Sequence, residues 1–171
     1  KRTAELIRPI LRGRDIRRYE YEWADKYLIA TFPSRHYDIE LYPAVKRHLL
    51  SFGKERLEQT GKTYSINGEK IKARKKTHNK WFETQDSISY WEDFMRPKII
   101  WKRIGSILRF SYDTTGNLGL DSTCFATGQH MAYLCCILNS LMGHYMFKDS
   151  PKTGTGDLLV SVQAIEPILI P

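Results

Sequence analysis

With 171 residues, 42% of them hydrophobic, the chain can bury one core and is short for two ordinary ones, so a single domain spanning 1–171 is expected. Its formal charge of +8 favours a polyanionic partner, nucleic acid foremost. Cys124, Cys135 and Cys136 lack the spacing of a disulfide framework or a zinc site, and no run approaches the roughly 18 apolar residues of a bilayer span, which together point to a reducing, cytoplasmic setting and no membrane partner.

The start at Lys1-Arg2-Thr3 without a methionine, and the end at Ile168-Leu169-Ile170-Pro171 in mid-pattern, read as a piece of a longer chain. From Leu6 to Tyr19, Ile7, Ile10, Leu11 and Ile16 alternate with Arg8, Arg12, Arg14, Arg17 and Arg18 about Gly13. That is the pattern of a short strand, a glycine turn and a basic exit. Tyr27-Leu28-Ile29-Ala30-Thr31 has the size of a buried strand, ended by Pro33. Pro43 suits the first turn of a helix in which Val45, Leu49 and Phe52 recur at helical spacing, with Leu57 beyond and Gly61 as the stop.

Between Gly61 and Lys80 the apolar residues thin out, Gly68 marks a turn, and Lys70, Lys72, Arg74, Lys75, Lys76 and Lys80 surround a single acid, Glu69. This stretch is the least able to bury a core, and a mobile basic loop is expected there. Ile99-Ile100-Trp101 and the alternating Leu108, Phe110 and Tyr112 read as strands joined through Gly105. Asp113-Thr114-Thr115-Gly116-Asn117 is turn chemistry, and Thr123 to Ala126 suits a further strand. Met131, Leu134, Leu138, Leu141 and Tyr145 form a helical stripe expected to pack. Asn139-Ser140 interrupts it with small polar groups suited to capping or backbone bonding.

Signals for chemistry are missing. No Asp or Glu is followed two positions later by Lys, the spacing that joins a metal-holding carboxylate to a water-activating ammonium in metal-dependent nucleases. The sequence also lacks a glycine-rich cofactor loop, an Asn-Pro-Pro tetrapeptide for a flipped base and a phosphate-cradling loop, since Gly154-Thr155-Gly156 alone is a weak glycine signal. His36, His48, His78, His130 and His144 form no close pair at ligand spacing, and Cys135 and Cys136 fall in an apolar helix, where cysteine acts as a small hydrophobe. The expectation is a chain without catalytic, cofactor or metal sites that is not by itself an enzyme.

What remains is positive charge interleaved with aromatics. Arg12, Arg14, Arg17 and Arg18 form one candidate DNA-binding cluster, Lys72, Arg74, Lys75 and Lys76 a second, and Lys98, Lys102, Arg103 and Arg109 a third. Such residues neutralise phosphates, and arginine or lysine can also read guanine edges. Strand alternation puts Lys98 and Lys102 on one face, as a groove-facing ridge would need. Trp81, Trp91, Trp101, Phe110 and Tyr112 are read mainly as core.

Several of these pieces, in order, carry a resemblance: Leu11-Arg12-Gly13-Arg14-Asp15-Ile16-Arg17-Arg18-Tyr19, Tyr27-Leu28-Ile29, Tyr42-Pro43-Ala44-Val45 with His48-Leu49, Trp81-Phe82-Glu83, Pro97-Lys98-Ile99-Ile100-Trp101, Phe110-Ser111-Tyr112-Asp113, Leu138-Asn139-Ser140, and Gln163 to Pro171. The chain resembles the TaqI-like C-terminal specificity domain of adenine-specific DNA methyltransferases, including combined restriction-modification enzymes. The resemblance implies a target-recognition domain that reads a short double-stranded DNA site and presents it to a methyltransferase domain upstream on the same polypeptide. Base flipping and S-adenosylmethionine binding would belong to that absent domain. A half of a type I specificity subunit, with a similar Asn-Ser helix and Pro-rich ending, is one alternative; a protein-interaction module docking on a methyltransferase partner is another. The expected fold is α+β, with short, twisted, mainly antiparallel strands packed with several helices.

Overall fold

Strand β1 (Ile7–Leu11) runs into a single 3-10 turn at Gly13–Asp15, the strand, glycine turn and basic exit expected from the alternation of Ile10, Leu11 and Ile16 with arginines. The computed structural model describes residues 2–169. Lys1, Ile170 and Pro171, and with them part of the expectations placed on the chain ends, lie outside the described residues. Contacts divide the chain into two compact units, one of residues 2–8 and 28–89 and the other of 9–27 and 90–169. Each unit has its own buried apolar cluster.

In the first unit, β2 (Tyr27–Ile29) continues from the second, and Ala30 beyond it donates its N–H to Leu6 O. Pro43 opens α1 (Pro43–Leu50), where its fixed φ and missing N–H cost nothing. Val45 is buried, and Leu49 half-buried, with Leu6, Ile39, Tyr42 and Phe82. The helix ends earlier than the apolar spacing predicts. Gly53, at φ +86°, separates it from α2 (Lys54–Leu57) and leaves Phe52 exposed.

The polar stretch after Gly61 departs most from expectation. It is an antiparallel hairpin of β3 (Thr63–Ile66) and β4 (Glu69–Lys72), in register from Thr63 opposite Lys72 to Ile66 opposite Glu69. Asn67 and Gly68 both take positive φ, +50° and +83°. Asparagine and glycine tolerate that geometry best, and its twist matches the flanking strands, so turn chemistry supplies the order that apolar content does not. Backbone bonds continue beyond β4: Ala73 N to Lys62 O, Gly61 N to Arg74 O, and Thr77 N to Gln59 O. Residues 73–77 are therefore anchored along 58–62, in place of the expected free loop.

In the second unit β5 (Lys98–Lys102), β6 (Ile104–Gly105), β7 (Phe110–Asp113), β8 (Leu118–Gly119) and β9 (Thr123–Thr127) follow in chain order. β5 lies between β7 and β9, antiparallel to both. The end of β1 pairs in parallel with β8, Ile10 opposite Leu118. β6 pairs with β10 (Leu158–Leu159). Pleating divides β5 between two apolar clusters: Ile99 and Trp101 join Leu108, Phe110, Leu138, Phe147 and Val160, while Ile100 joins Leu11 and Ile16.

Helix α3 (Met131–Asn139) covers the first of these clusters with Cys135 and Leu138, and a short α5 (Val162–Ile165) follows β10. Asn139 bonds the backbone as its type suggested, accepting from Phe110 N at 3.1 Å and donating to Phe110 O at 2.7 Å. Ser140 Oγ accepts from Gly143 N and caps α4 (Leu141–Met146). That corner ends the packed stripe. Leu134 and Leu138 remain in the core, but Leu141 and Tyr145, expected to pack, are 89% and 62% exposed because α4 starts in a new direction. These elements make an α+β fold of short, mostly antiparallel strands with several helices.

Candidate nucleic-acid interface

The four arginines around Gly13 do different jobs. Arg12 donates through Nε and Nη2 to the Asp15 carboxylate at 3.0 and 2.7 Å, and its own N–H reaches Asp15 Oδ2 at 2.9 Å. These bonds hold the buried Asp15 below the usual carboxylate range, chiefly through the Arg12 side chain. Arg12 therefore closes the turn. Arg17 donates to Arg14 O at 2.7 Å and pairs with Glu22 at 2.5 Å. Arg18 Nη2 lies 3.3 Å from His144 Nε2. Arg14 is exposed and forms no salt bridge among the described residues, although its charge adds to Arg12's in holding Asp15 low.

Lys98 and Lys102 share a face of β5, as alternation predicted, yet they do not form a ridge. Lys98 is 0% exposed, and its ammonium contacts Asp113 Oδ2 at 2.5 Å and Phe94 O at 2.8 Å. It cannot reach DNA, and its assignment to the interface is corrected. Asp113 is equally buried. It accepts from Thr115 N, Thr115 Oγ1, Asn117 N and Asn117 Nδ2, each within 3.1 Å. Burial pushes the Asp113 carboxyl up, but Lys98 and the Thr115 donors outweigh it and hold the group below its ordinary value. The turn after β7 was legible in Asp113-Thr114-Thr115-Gly116-Asn117; that it would bury a lysine 15 residues upstream was not.

At the other end of β5, Lys102 is exposed, as is its neighbour Arg103. A Cβ placed on Gly13 would lie 2.8 Å from Lys102 Cγ, so the lysine stem crosses the glycine turn where a side chain would otherwise stand. A cleft of about 250 Å³ opens there, lined by Arg14, Arg17, Lys102 and Arg109 together with Gly13, Ile16, Gly105, Ser106 and Ile107. None of these lining residues is acidic. The first and third sequence clusters thus meet, but only in part: Arg103 does not line the cleft, and Arg12 and Lys98 serve the fold. Tyr19 and Trp23 in the same unit are exposed large aromatics.

Just beyond the hairpin, Arg74 too is built into the fold and is not the interface cation expected from its neighbours. Its guanidinium donates to three main-chain carbonyls, Leu57 O at 2.8 Å, Glu83 O at 3.0 Å and Trp81 O. A shortage of nearby acids had suggested a free cation, but peptide oxygens satisfy guanidinium equally well. Lys72, Lys75 and Lys76 are exposed.

A small α+β fold with a cationic cleft in one unit and exposed lysines in the other has the make-up of a polyanion-recognition protein. The family model of the TaqI-like C-terminal specificity domain matches residues 8–164, nearly the whole chain, and the chain belongs to that family. Domains of this family are recognition modules for DNA sequence in restriction-modification systems. No curated protein matches the chain. Among the described residues, no helix is long and apolar enough to cross a membrane, and no three His, Cys, Asp or Glu side chains gather as a metal site.

Proposed function

We propose that this chain reads a short double-stranded DNA site for an adenine-specific methyltransferase domain lying upstream on the same polypeptide. S-adenosylmethionine and the transfer chemistry would belong to that upstream domain, and this chain would contribute recognition alone. The observation that carries the reading is the meeting of Arg14, Arg17, Lys102 and Arg109 in one cleft without a lining acid. Arg17 is already paired with Glu22, but Arg14, Lys102 and Arg109 form no salt bridge among the described residues, and a phosphate backbone supplies closely spaced anions. Ser106 adds a hydroxyl among them. Lys72, Lys75 and Lys76 offer further phosphate contacts from the hairpin.

Binding of the purified chain to a mixed-sequence duplex across a salt series tests this. The double variant Arg14→Ala/Arg109→Ala should flatten the log-affinity versus log-salt line by up to about 0.9 per lost phosphate contact. An unchanged slope would remove the cleft from the interface. The methyltransferase link is tested by exchanging residues 8–164, in the polypeptide that carries them, for those of another family member. The methylated site should change with the exchange.

A further inference from the structure

Lysine is normally the mobile cation, a compact ammonium on a four-carbon stem with several rotatable bonds. Lys102 departs from that pattern. Its Cγ and Cδ lie 2.8 and 3.4 Å from the point where Gly13 would carry a Cβ, and its Cδ and Nζ lie 3.5 and 3.7 Å from the corresponding point on Gly105. The stem crosses the Gly13 turn where a side chain would clash, and its far end comes within van der Waals reach of Gly105 at the cleft, while the residue as a whole stays exposed.

Neither glycine is demanded by its backbone. Gly13 and Gly105 are absent from the positive-φ glycines, which are Gly53, Gly61, Gly68, Gly116, Gly128 and Gly156. At Gly13, the nearest atom an added Cβ would meet belongs to Lys102, and the next, Ser122 O, is at 3.3 Å. Glycine at 13 therefore makes room first for the lysine stem and second for the Ser122 carbonyl. Lys102 forms no salt bridge among the described residues, so packing of its stem against the Gly13 turn, and not a carboxylate, sets its direction, and its charge is left for a ligand.

We infer that Lys102 is a pre-aimed reader of a base edge, with Gly13 as its positioning residue, while the unconfined Lys72, Lys75 and Lys76 make sequence-independent phosphate contacts. This rests on the DNA-reading role proposed above. A donor held in one direction can discriminate an acceptor such as guanine O6 or N7 from a base lacking one at that place. A freely swinging lysine follows phosphates on any sequence.

The test begins with selection of a duplex by the wild-type chain from a pool with a randomised centre. Affinities for the selected duplex and a scrambled duplex of equal composition are then measured for wild type, Gly13→Ala, Lys102→Met and the double variant. Lys102→Met should lose about tenfold of the preference for the selected duplex. Gly13→Ala should lose a similar part without changing charge or salt slope, and the double variant should be no worse than Lys102→Met. Equal losses on both duplexes for Lys102→Met would overturn the reader, and a Gly13→Ala loss that persists undiminished in the Lys102→Met background would overturn the positioning.

Side-chain ¹⁵Nζ relaxation supplies a readout without DNA and without a glycine variant. Lys102 should show a higher order parameter than Lys72 or Lys75, and equal values would also overturn the inference. Failure of the wild type to prefer any duplex would instead sink the DNA-reading role, and the relaxation result would stand apart from it.

Discussion

The hairpin region around residues 58–83 and the cleft region around Gly13 and β5 are both basic, and in each a cation that looks free in the sequence is built into the fold. Arg74 is adjacent to Lys75, yet Arg74 binds three carbonyls while Lys75 faces solvent. Lys98 and Lys102 stand at the two ends of one strand, yet Lys98 is sealed against Asp113 while Lys102 reaches a cleft. The regions differ in what surrounds the remaining charges. Lys72 ends a two-stranded hairpin and Lys75 and Lys76 follow it, whereas Arg14, Lys102 and Arg109 border a concave surface framed by three-stranded pairing and Gly13. Affinity can come from either arrangement, but shape-dependent reading needs the second.

The sharpest break of this contrast is Asp113→Ala, which leaves the Lys98 ammonium buried without its counter-ion. A loss of about 3–5 kcal/mol in urea unfolding is expected, as for other broken buried pairs. The double variant Lys98→Met/Asp113→Asn should lose less than Asp113→Ala, because no orphan charge remains. A larger loss in the double variant would show that the pair contributes more than mutual neutralisation.

Acid exposes the same pair and the Arg12–Asp15 staple together. Both carboxyls have folded-state values below the ordinary 3.8, so the unfolded chain takes up protons first as pH falls. Their contribution is complete above the unfolded value and disappears as pH falls through the depressed folded values. Urea midpoints should therefore decline below about pH 4, with a smaller decline in Lys98→Met/Asp113→Asn.

Arg74→Lys tests the inward cation of the hairpin. One ammonium cannot reproduce the guanidinium fork to three carbonyls, and about 1–3 kcal/mol of stability should be lost with no change in the DNA salt slope. A flattened slope at full stability would return Arg74 to the interface. Smallest of all, Lys75→Ala/Lys76→Ala should leave stability within about 0.5 kcal/mol and lower the salt slope by less than Arg14→Ala/Arg109→Ala does. The reverse order would make the hairpin, and not the cleft, the main DNA contact.

Local chemistry was legible wherever a short segment determines its own conformation. Pro43 opened a helix, Gly13 marked a turn, Asp113 to Asn117 closed one, and Ser140 capped another helix. The turn at Gly68 was legible, but the strands on either side of it were not, because Thr63–Ile66 and Glu69–Lys72 carry little apolar content. The helical stripe was misread beyond Asn139 because its period says nothing of the corner that Ser140 and Gly143 allow.

By itself, the sequence determined the family, the excess of positive charge and the residue types able to meet DNA, since composition and ordered local motifs are properties of the chain. Which cations remain for a ligand depends on contacts made across the fold. A lysine or arginine is the same letter whether its partner is a phosphate, a distant carboxylate or a main-chain carbonyl, and that partner is chosen by strands and turns brought together from far along the chain. Gly13 and Lys102, 89 residues apart, are the plainest case: neither predicts the other, and their contact defines the cleft.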